Sequence, residues 1–309
     1  MPINGSISLK NLYDIGISSL RKAEIDAPVL EAGVLLCNLL NINRALLYAK
    51  SHELIAPDIS AKYLEWIKRR AEGTPLQYIT GHQEFMSLDF KVTPDVLIPR
   101  QDTEILVETV IEHAKKNKDK QLKILDIGTG SGCIAISLAY YIKNCFVTAI
   151  DISQNALKIA QSNAAANQVS DKLSFIEMDI LSYKEQFHFD ILQESPSSKT
   201  FGDFNIIVSN PPYIPSEEIP FLQKEVRDHE PKCALDGGMD GLKFYREIIS
   251  KSKSLLAQGG LLAFETGYNQ AHAVKDLMVK EYFEASIYND LSGIPRVVAG
   301  ISTITHSKT

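Results

Sequence analysis

The chain of 309 residues has only four cysteines, Cys37, Cys133, Cys145 and Cys233, and no two of them form a CxxC pair. That scarcity argues against a disulfide framework or a cysteine zinc site and fits a reducing compartment. An excess of positive charge is also missing. The formal net charge is −6, so the surface as a whole offers no footprint for nucleic acid, and no nucleic-acid partner is expected. The first residues, MPINGSISLKNLYDIG, lack a basic stretch followed by an apolar run, so no secretory leader is expected. No apolar run approaches the length of a membrane span, and no membrane partner is expected. The reading is a cytoplasmic protein acting as a monomer. No repeat at solenoid spacing occurs.

What is present is ordinary globular composition, 45% hydrophobic and 23% charged, long enough for two domains or for one with an appendage. Residues 1–73 carry helical patterning. One apolar stripe holds Leu9, Leu12 and Leu20; a second holds Val29, Leu30, Val34, Leu35, Leu39 and Leu40 behind Pro28. A third, with Ile59, Tyr63, Leu64 and Ile67, finishes in Lys68, Arg69, Arg70 and then Gly73, which reads as a solvated, basic helix end. The expectation is a small helical bundle.

Residues 74–102 form a connector in which Phe85, Leu88, Phe90 and Val92 predict a β-hairpin. A helix follows from about Thr103 to Lys115, and KKNKDK at 115–120 reads as an exposed loop. From Leu122 onward, strand–turn–helix units repeat: LKILDIG, CFVTAID, KLSFIEMD, FNIIVSN and LLAFE are strands with helices between them. Over 103–309 this predicts an α/β domain built on a doubly wound, mostly parallel sheet. A polar segment, Tyr183–Asp203, is longer than most connections.

In such sheets ligands sit beyond the C-terminal ends of the strands. The first strand ends there in Gly128-Thr129-Gly130-Ser131-Gly132, with Cys133 where the dinucleotide fingerprint would carry its last glycine. Glycines let the backbone turn sharply and approach a ligand closely. Asp151 ends the second strand, followed by Ile152, and can accept ribose hydroxyls. Asp179, followed by Ile180, ends the third strand, where an adenine amino group could be read. Either aspartate alone could simply cap the turn after its strand. In register with the glycine loop, the set points to a nucleoside cofactor without an obligatory pyrophosphate, with S-adenosylmethionine foremost.

The fourth strand ends in Asn210-Pro211-Pro212-Tyr213 on the same rim. Two prolines fix two φ angles and preorganise the turn. The Asn210 side-chain oxygen and the Pro211 carbonyl are acceptors, and the Tyr213 ring is a stacking face. Two converging acceptors suit a substrate NH₂, which offers two hydrogens. Holding both favours pyramidalisation of a nitrogen whose lone pair is otherwise delocalised, and turns that lone pair toward the electrophile.

With these motifs in place the sequence resembles the class I S-adenosylmethionine-dependent methyltransferases, Rossmann-like enzymes whose [N/D]-P-P-[Y/F/W] motif serves planar nitrogen. Within them it is similar to the HemK/PrmC family. The marks are TPLQYITGHQEF at 74–85, VLIPRQDTE at 96–104, LDIGTGSGCIAISLA at 125–139, AIDIS at 149–153, VSNPPYIP at 208–215, HEPKCALDGGMDGL at 229–242 and FETGYNQ at 264–270. The resemblance implies methylation of the glutamine side-chain nitrogen (N5) in the GGQ loop of class I peptide-chain release factors. It implies that Gly128 to Gly132 embrace the cofactor, that Asp151 takes its ribose, that Asn210 to Tyr213 hold the glutamine amide, and that the helical N-terminal domain helps dock the release factor. Gln101 stands where the family usually has proline, and Ile180 where relatives often have an aromatic residue.

Other polar residues carry less. His82, Glu84 and His229 could be bases, which this chemistry does not demand. Arg100 could reach cofactor or substrate, or brace Thr103 and Glu104. Glu230 and Pro231 are expected to wall the NPPY turn. Asp236 to Gly241 lacks the spacing and distal Glu of a calcium loop and reads as a glycine turn; no metal is expected. A DNA or RNA amino-methyltransferase acting on a flipped base is the alternative, because the pocket chemistry is shared. A cofactor-binding scaffold without activity is a third reading.

Overall fold

A computed structural model describes residues 6–117, 121–183 and 201–304. Most of the polar segment from Tyr183 to Asp203 and the end of the KKNKDK run therefore lie outside the described residues. The chain divides into two compact units. One runs to His82 and takes in Gln223–His229; the other comprises Gln83–Leu222 and the chain from Glu230 onward.

The first unit is helical: Leu9–Lys22, Pro28–Leu40, Arg44–Ala49, Pro57–Ala71, Leu76–Thr80 and, from much later in the chain, Lys224–His229. Its boundaries follow from local chemistry. The Ser8 hydroxyl accepts from the Asn11 amide, and Pro28 and Pro57 occupy first turns where no amide partner is required. Gly73, at φ 104°, follows the helix that ends at Ala71. Leu12, Leu20, Leu35, Tyr63 and Ile67 are buried together in one core. Gly16 lies directly against Tyr63, where a Cβ would meet the phenol oxygen at 2.1 Å; only a residue without a side chain fits beneath that ring.

Two expectations fail in this unit. Along Pro28–Leu40 the buried face is Ala32, Gly33, Leu35 and Leu36, while Val29, Leu30 and Val34 are exposed. The helix is apolar nearly all round, so periodicity could not choose a face, and the small residues mark the side that approaches its neighbours. Arg70 is not a solvated helix end either. It is 3% exposed and holds Glu31 through two guanidinium nitrogens, with Glu225 at 2.8 Å. A buried charge persists only when paired in this way, and Glu225 secures the 223–229 segment to this unit.

The second unit contains a sheet of seven strands among the described residues: β1 (Leu122–Ile127), β2 (Cys145–Asp151), β3 (Leu173–Glu177), β4 (Phe204–Ser209), β5 (Leu256–Glu265), β6 (Phe283–Asn289) and β7 (Pro295–Ser302). Their order is β6-β7-β5-β4-β1-β2-β3. Strands β3, β2, β1, β4 and β5 run parallel; β7 and β6 are antiparallel additions. The doubly wound, mostly parallel sheet is as predicted, with a closing hairpin in addition.

Helices α1 (Glu104–Ala114), α2 (Cys133–Tyr141) and α3 (Gln154–Ala166), with α4 (Lys243–Leu255) and α5 (Ala271–Lys280), complete the layers. Ile124, Val147 and Val208 share one apolar cluster with Leu106 of α1 and Leu138 of α2. Leu125, Ile207 and Leu262 share the other with Ile248 of α4 and Val274 of α5. Alternate residues of each central strand thus bury on opposite faces, which is why these strands read as unbroken apolar runs.

The hairpin His82–Phe85/Leu88–Lys91 turns at Met86 and Ser87, both at positive φ (51° and 58°). Such two-residue turns favour Asn and Gly. Here the Met86 amide donates to Glu104 at 2.6 Å and its carbonyl accepts from Tyr141 at 2.7 Å, which holds an otherwise costly conformation. The chain passes β1, β2, β3 and then returns to place β4 on the other side of β1. The crevice at the strand ends opens at that reversal.

Candidate active site

Three glycines shape the loop after β1, each at positive φ: Gly128 (75°), Gly130 (56°) and Gly132 (82°). They do different work. A Cβ on Gly128 or Gly130 would meet nothing within 4 Å, so their backbone faces open space, as a ligand cradle requires. A Cβ on Gly132 would strike Ile136 at 2.8 Å and Ala160 at 3.0 Å, so Gly132 serves close packing of the loop on α2 and α3. The loop is fastened to β2 by the Gly128 and Thr129 amides, which donate to the Ile150 carbonyl at 2.9 and 3.0 Å.

Asp151 lies beside this loop. Its Oδ2 accepts from the Gly130 amide and its Oδ1 from the Ser153 amide, both at 2.8 Å. It therefore does cap its turn. An ionised carboxylate accepts at about four lone-pair sites, so each oxygen keeps capacity for a ligand hydroxyl. Burial raises its pKa, and the Ser153 and Gly130 amides oppose the rise. Asp179 closes its turn similarly, accepting from the Leu181 amide at 2.9 Å and the Ser182 hydroxyl at 2.7 Å.

These groups border a cavity of about 220 Å³ whose lining includes Gly128, Gly130, Asp151, Asp179, Asn210 and Pro211. Ile152, exposed, and Ile180, buried, also line it and supply apolar surface for a planar base. A carboxylate acceptor, a Cβ-free cradle and an apolar shelf are a donor set that fits a nucleoside cofactor.

The rim over β4 is built differently. Asn210, Pro211 and Pro212 line the cavity, and none of the residues from Asn210 to Tyr213 has positive φ. The Asn210 Nδ2 donates to the Thr103 hydroxyl at 3.4 Å. Gln270 donates to the Tyr213 carbonyl at 2.8 Å, and the Ile214 amide and carbonyl bond Leu235 and Gly237 at 3.0 and 2.8 Å. The glycine turn at 236–241 is packed onto this segment. A Cβ on Gly237 would meet the Tyr213 backbone at 2.7 Å, and one on Gly241 its carbonyl oxygen at 2.3 Å. Burial pushes the Tyr213 hydroxyl up, and it donates to Glu265 Oε1 at 3.5 Å.

Two carboxyls lie wholly inside. Asp126, at the end of β1, accepts from the Thr129 hydroxyl at 2.6 Å, and burial pushes its pKa up to about 7. Burial likewise pushes Glu265, ending β5, up to about 7, against the pull of the Thr103 hydroxyl and Arg296.

Of the residues singled out in the sequence, Gly128, Gly130, Asp151, Ile152, Asp179, Ile180, Asn210, Pro211 and Pro212 meet at one cavity. Thr129 and Ser131 are buried behind the loop, with Thr129 turned to Asp126. Neither they, nor Gly132, nor Tyr213 line the cavity. Arg100 does not brace Thr103 and Glu104; it pairs with buried Glu230 at 2.5 Å. Pro231 does line the cavity. Asp95, Val96 and Leu97 also line it; the one signal for them in the sequence is the VLIPR motif, which begins at Val96. Glu265 and Thr103 stand within the FETGYNQ and VLIPRQDTE motifs, where nothing local marks either as a site residue. Among the described residues no cluster suits a metal ion.

Comparison with known proteins places this geometry. A family model described as the PrmC N-terminal domain matches residues 11–81, and one described as a methyltransferase domain matches residues 118–303. The chain is 42% identical to the release factor glutamine methyltransferase of Moorella thermoacetica over 94% of its own length and 97% of that protein. It is 40% identical to the protein of the same name from Koribacter versatilis over 95% and 98%. Among solved structures, the hMettl16 catalytic domain in complex with a 3'UTR hairpin superposes with a TM-score of 0.50 at 14% identity, covering 83% of this chain and 87% of that one, a likeness of fold alone. Near-complete coverage by relatives of one name shows that this chain belongs to the release factor glutamine methyltransferase family.

Proposed function

We propose that this chain transfers a methyl group from S-adenosylmethionine to the N5 side-chain amide nitrogen of the glutamine in the GGQ loop of class I peptide-chain release factors. The observation that carries the reading is the placement of Asn210, an amide acceptor on a rigid Pro-Pro turn, at the rim of a cavity suited to a nucleoside. Family membership supplies the substrate class.

When bound, S-adenosylmethionine supplies an electrophilic methyl on a sulfonium. The chain's own residues do the rest. Gly128 and Gly130 would let the backbone close on the cofactor, Asp151 would accept its ribose hydroxyls, Ile152 and Ile180 would offer apolar surface to its base, and Asp179 would read the base edge. Asn210 Oδ1 accepts a hydrogen of the glutamine NH₂ while the preorganised turn limits the ordering needed at the transition state. The Pro211 carbonyl is the second acceptor. Thr129, Ser131 and Gly132 support the loop from behind, and Tyr213 anchors the far end of the turn.

We assign residues 1–73 to docking of the release factor, 74–102 to a connector, and 103–309 to catalysis. We place the chain in the cytoplasm as a monomer acting on protein rather than nucleic acid. The acidic balance, four cysteines without a disulfide and the absence, among the described residues, of a helix long and apolar enough to cross a membrane support that setting.

The test offers labelled S-adenosylmethionine with a purified class I release factor, a DNA duplex and an RNA, each separately, and locates any methyl by peptide mass spectrometry. A methyl on the GGQ glutamine is expected. Transfer only to nucleic acid, or to none of them, overturns the reading.

A further inference from the structure

We infer that Phe221, Met239 and Tyr268 form an apolar docking rim beside the Pro-Pro turn, and that its occupant is the release-factor loop segment flanking the target glutamine. The inference rests on the methyltransferase reading above and deepens it.

Single exposed apolar side chains are ordinary on any protein surface. These three are not scattered. With Leu291 they are the four most exposed large hydrophobic residues of the second unit among the described residues: Met239 is 92%, Phe221 87% and Tyr268 69% exposed. Each stands on a different turn. All three turns are fastened to one strut, residues 213–216, which continues the Pro-Pro turn.

Met239 tips the glycine turn. The Ser216 amide donates to the Gly238 carbonyl at 2.9 Å, and the Ser216 hydroxyl to Asp236 Oδ1 at 2.6 Å. Tyr268 follows Gly267, where a Cβ would meet the Tyr213 ring at 3.4 Å. Gln270 ties that turn down: its side chain accepts from the Gly267 amide at 3.2 Å and donates to the Tyr213 carbonyl at 2.8 Å. Phe221 closes the short helical turn Ile219–Phe221. The Glu218 amide donates to the Pro215 carbonyl at 2.9 Å, and the Glu218 carbonyl accepts from the Phe221 amide at 3.0 Å. Backbones already braced in this way need little ordering when a partner covers the side chains they carry.

The position of the rim names its partner. A glutamine that reaches Asn210 comes from a loop whose chain runs on past the strut on which the rim is built. The two residues before that glutamine are glycines, which bring no side chains of their own. They let the peptide backbone lie flush against its support, and the three tips supply the apolar surface that the loop lacks.

The test uses the full chain and a purified release factor. Phe221→Ser, Met239→Ser and Tyr268→Ser are each expected to raise KM for the factor by about 3- to 10-fold, as for losing partial burial of one large apolar side chain. Their kcat at saturating factor and their calorimetric cofactor affinity should stay within about threefold of the wild type. The triple variant should lose roughly 100-fold in kcat/KM. Tyr282→Ser is the control. Tyr282 is 67% exposed but precedes β6 at the far end of the sheet, where Phe283 pairs with Ser302, whereas Glu265 at the site end pairs with Val297. Its KM should match the wild type.

To identify the occupant, Phe221→p-benzoylphenylalanine is photo-crosslinked to the factor and the attachment mapped by mass spectrometry. Attachment within the loop that carries the glutamine is expected. Attachment elsewhere on the factor or none at all, or wild-type KM in all three folded serine variants, overturns the inference. A wild-type chain that does not methylate the release factor overturns the functional reading itself, and this inference with it.

Discussion

The two turns that meet at the cavity, Gly128–Gly132 after β1 and Asn210–Tyr213 after β4, lie on adjacent strands and are built on opposite principles. The first works by omission. Three glycines at positive φ leave backbone where side chains would stand, two facing open space and one allowing helices to close behind. The second works by constraint. Two prolines fix the backbone, no residue has positive φ, and Thr103, Gln270 and Glu265 hold its side chains and carbonyls from beneath. A methyl donor that arrives already activated as a sulfonium needs room and a few acceptors. A weakly nucleophilic amide needs an acceptor that does not move. Each turn has the construction its ligand demands.

If that division is right, damage to the two turns separates cleanly. The largest effect is expected for Asn210→Ala: kcat for release-factor methylation should fall by about 10²- to 10³-fold, the range for losing one preorganised transition-state contact, read in a single-turnover assay. Asp151→Ala should act on the other half, weakening cofactor binding by roughly 10- to 100-fold by calorimetry, with kcat at saturating cofactor much less affected.

Gly130→Ala forces an L side chain to φ 56° and should cost about 1–2 kcal/mol of stability. Its Cβ enters the open cradle, so cofactor affinity should fall as well. A Gly132 substitution would instead clash with α2 and α3, and should lower the melting temperature more than the Gly130 change.

The smallest effect is a slope. Asp126 is held at about 7 by burial against an ordinary value of 3.8. Between roughly 4 and 7 the folded chain keeps a proton that the unfolded chain has lost, so stability contributed by this group falls as pH rises through that window and levels above it. Melting curves of Asp126→Asn should therefore decline less from pH 4 to 7 than those of the wild type.

Much of this was legible in the sequence, for definite reasons. The strands β1 and β4 bury both faces, so they appear as short apolar runs; the glycine loop and the Pro-Pro turn announce themselves because few other residues adopt those backbones. The closing hairpin was not legible. Strand β6 carries Glu284, Tyr288 and Asn289 on a largely exposed surface, and nothing local marks it as part of the sheet. Arg70 looked like any basic helix end, since one of its partners, Glu225, lies 155 residues away. Glu265 and Thr103 were hidden similarly: Thr103 meets Asn210 across 107 positions, and a glutamate reads as surface until the fold encloses it. What sequence shows is the demand of each backbone position; which charge is buried against which partner is a property of the assembled sheet.

The central claim is that the turn after β4 acts on the amide and not on the cofactor. The direct measurement is a calorimetric titration of S-adenosylmethionine into Asn210→Ala, beside the wild type and Asp151→Ala. The account predicts that Asn210→Ala binds within about threefold of the wild type while its methyl transfer is nearly abolished. Cofactor binding weakened as severely as in Asp151→Ala would contradict it, and would make the two turns parts of one cofactor site.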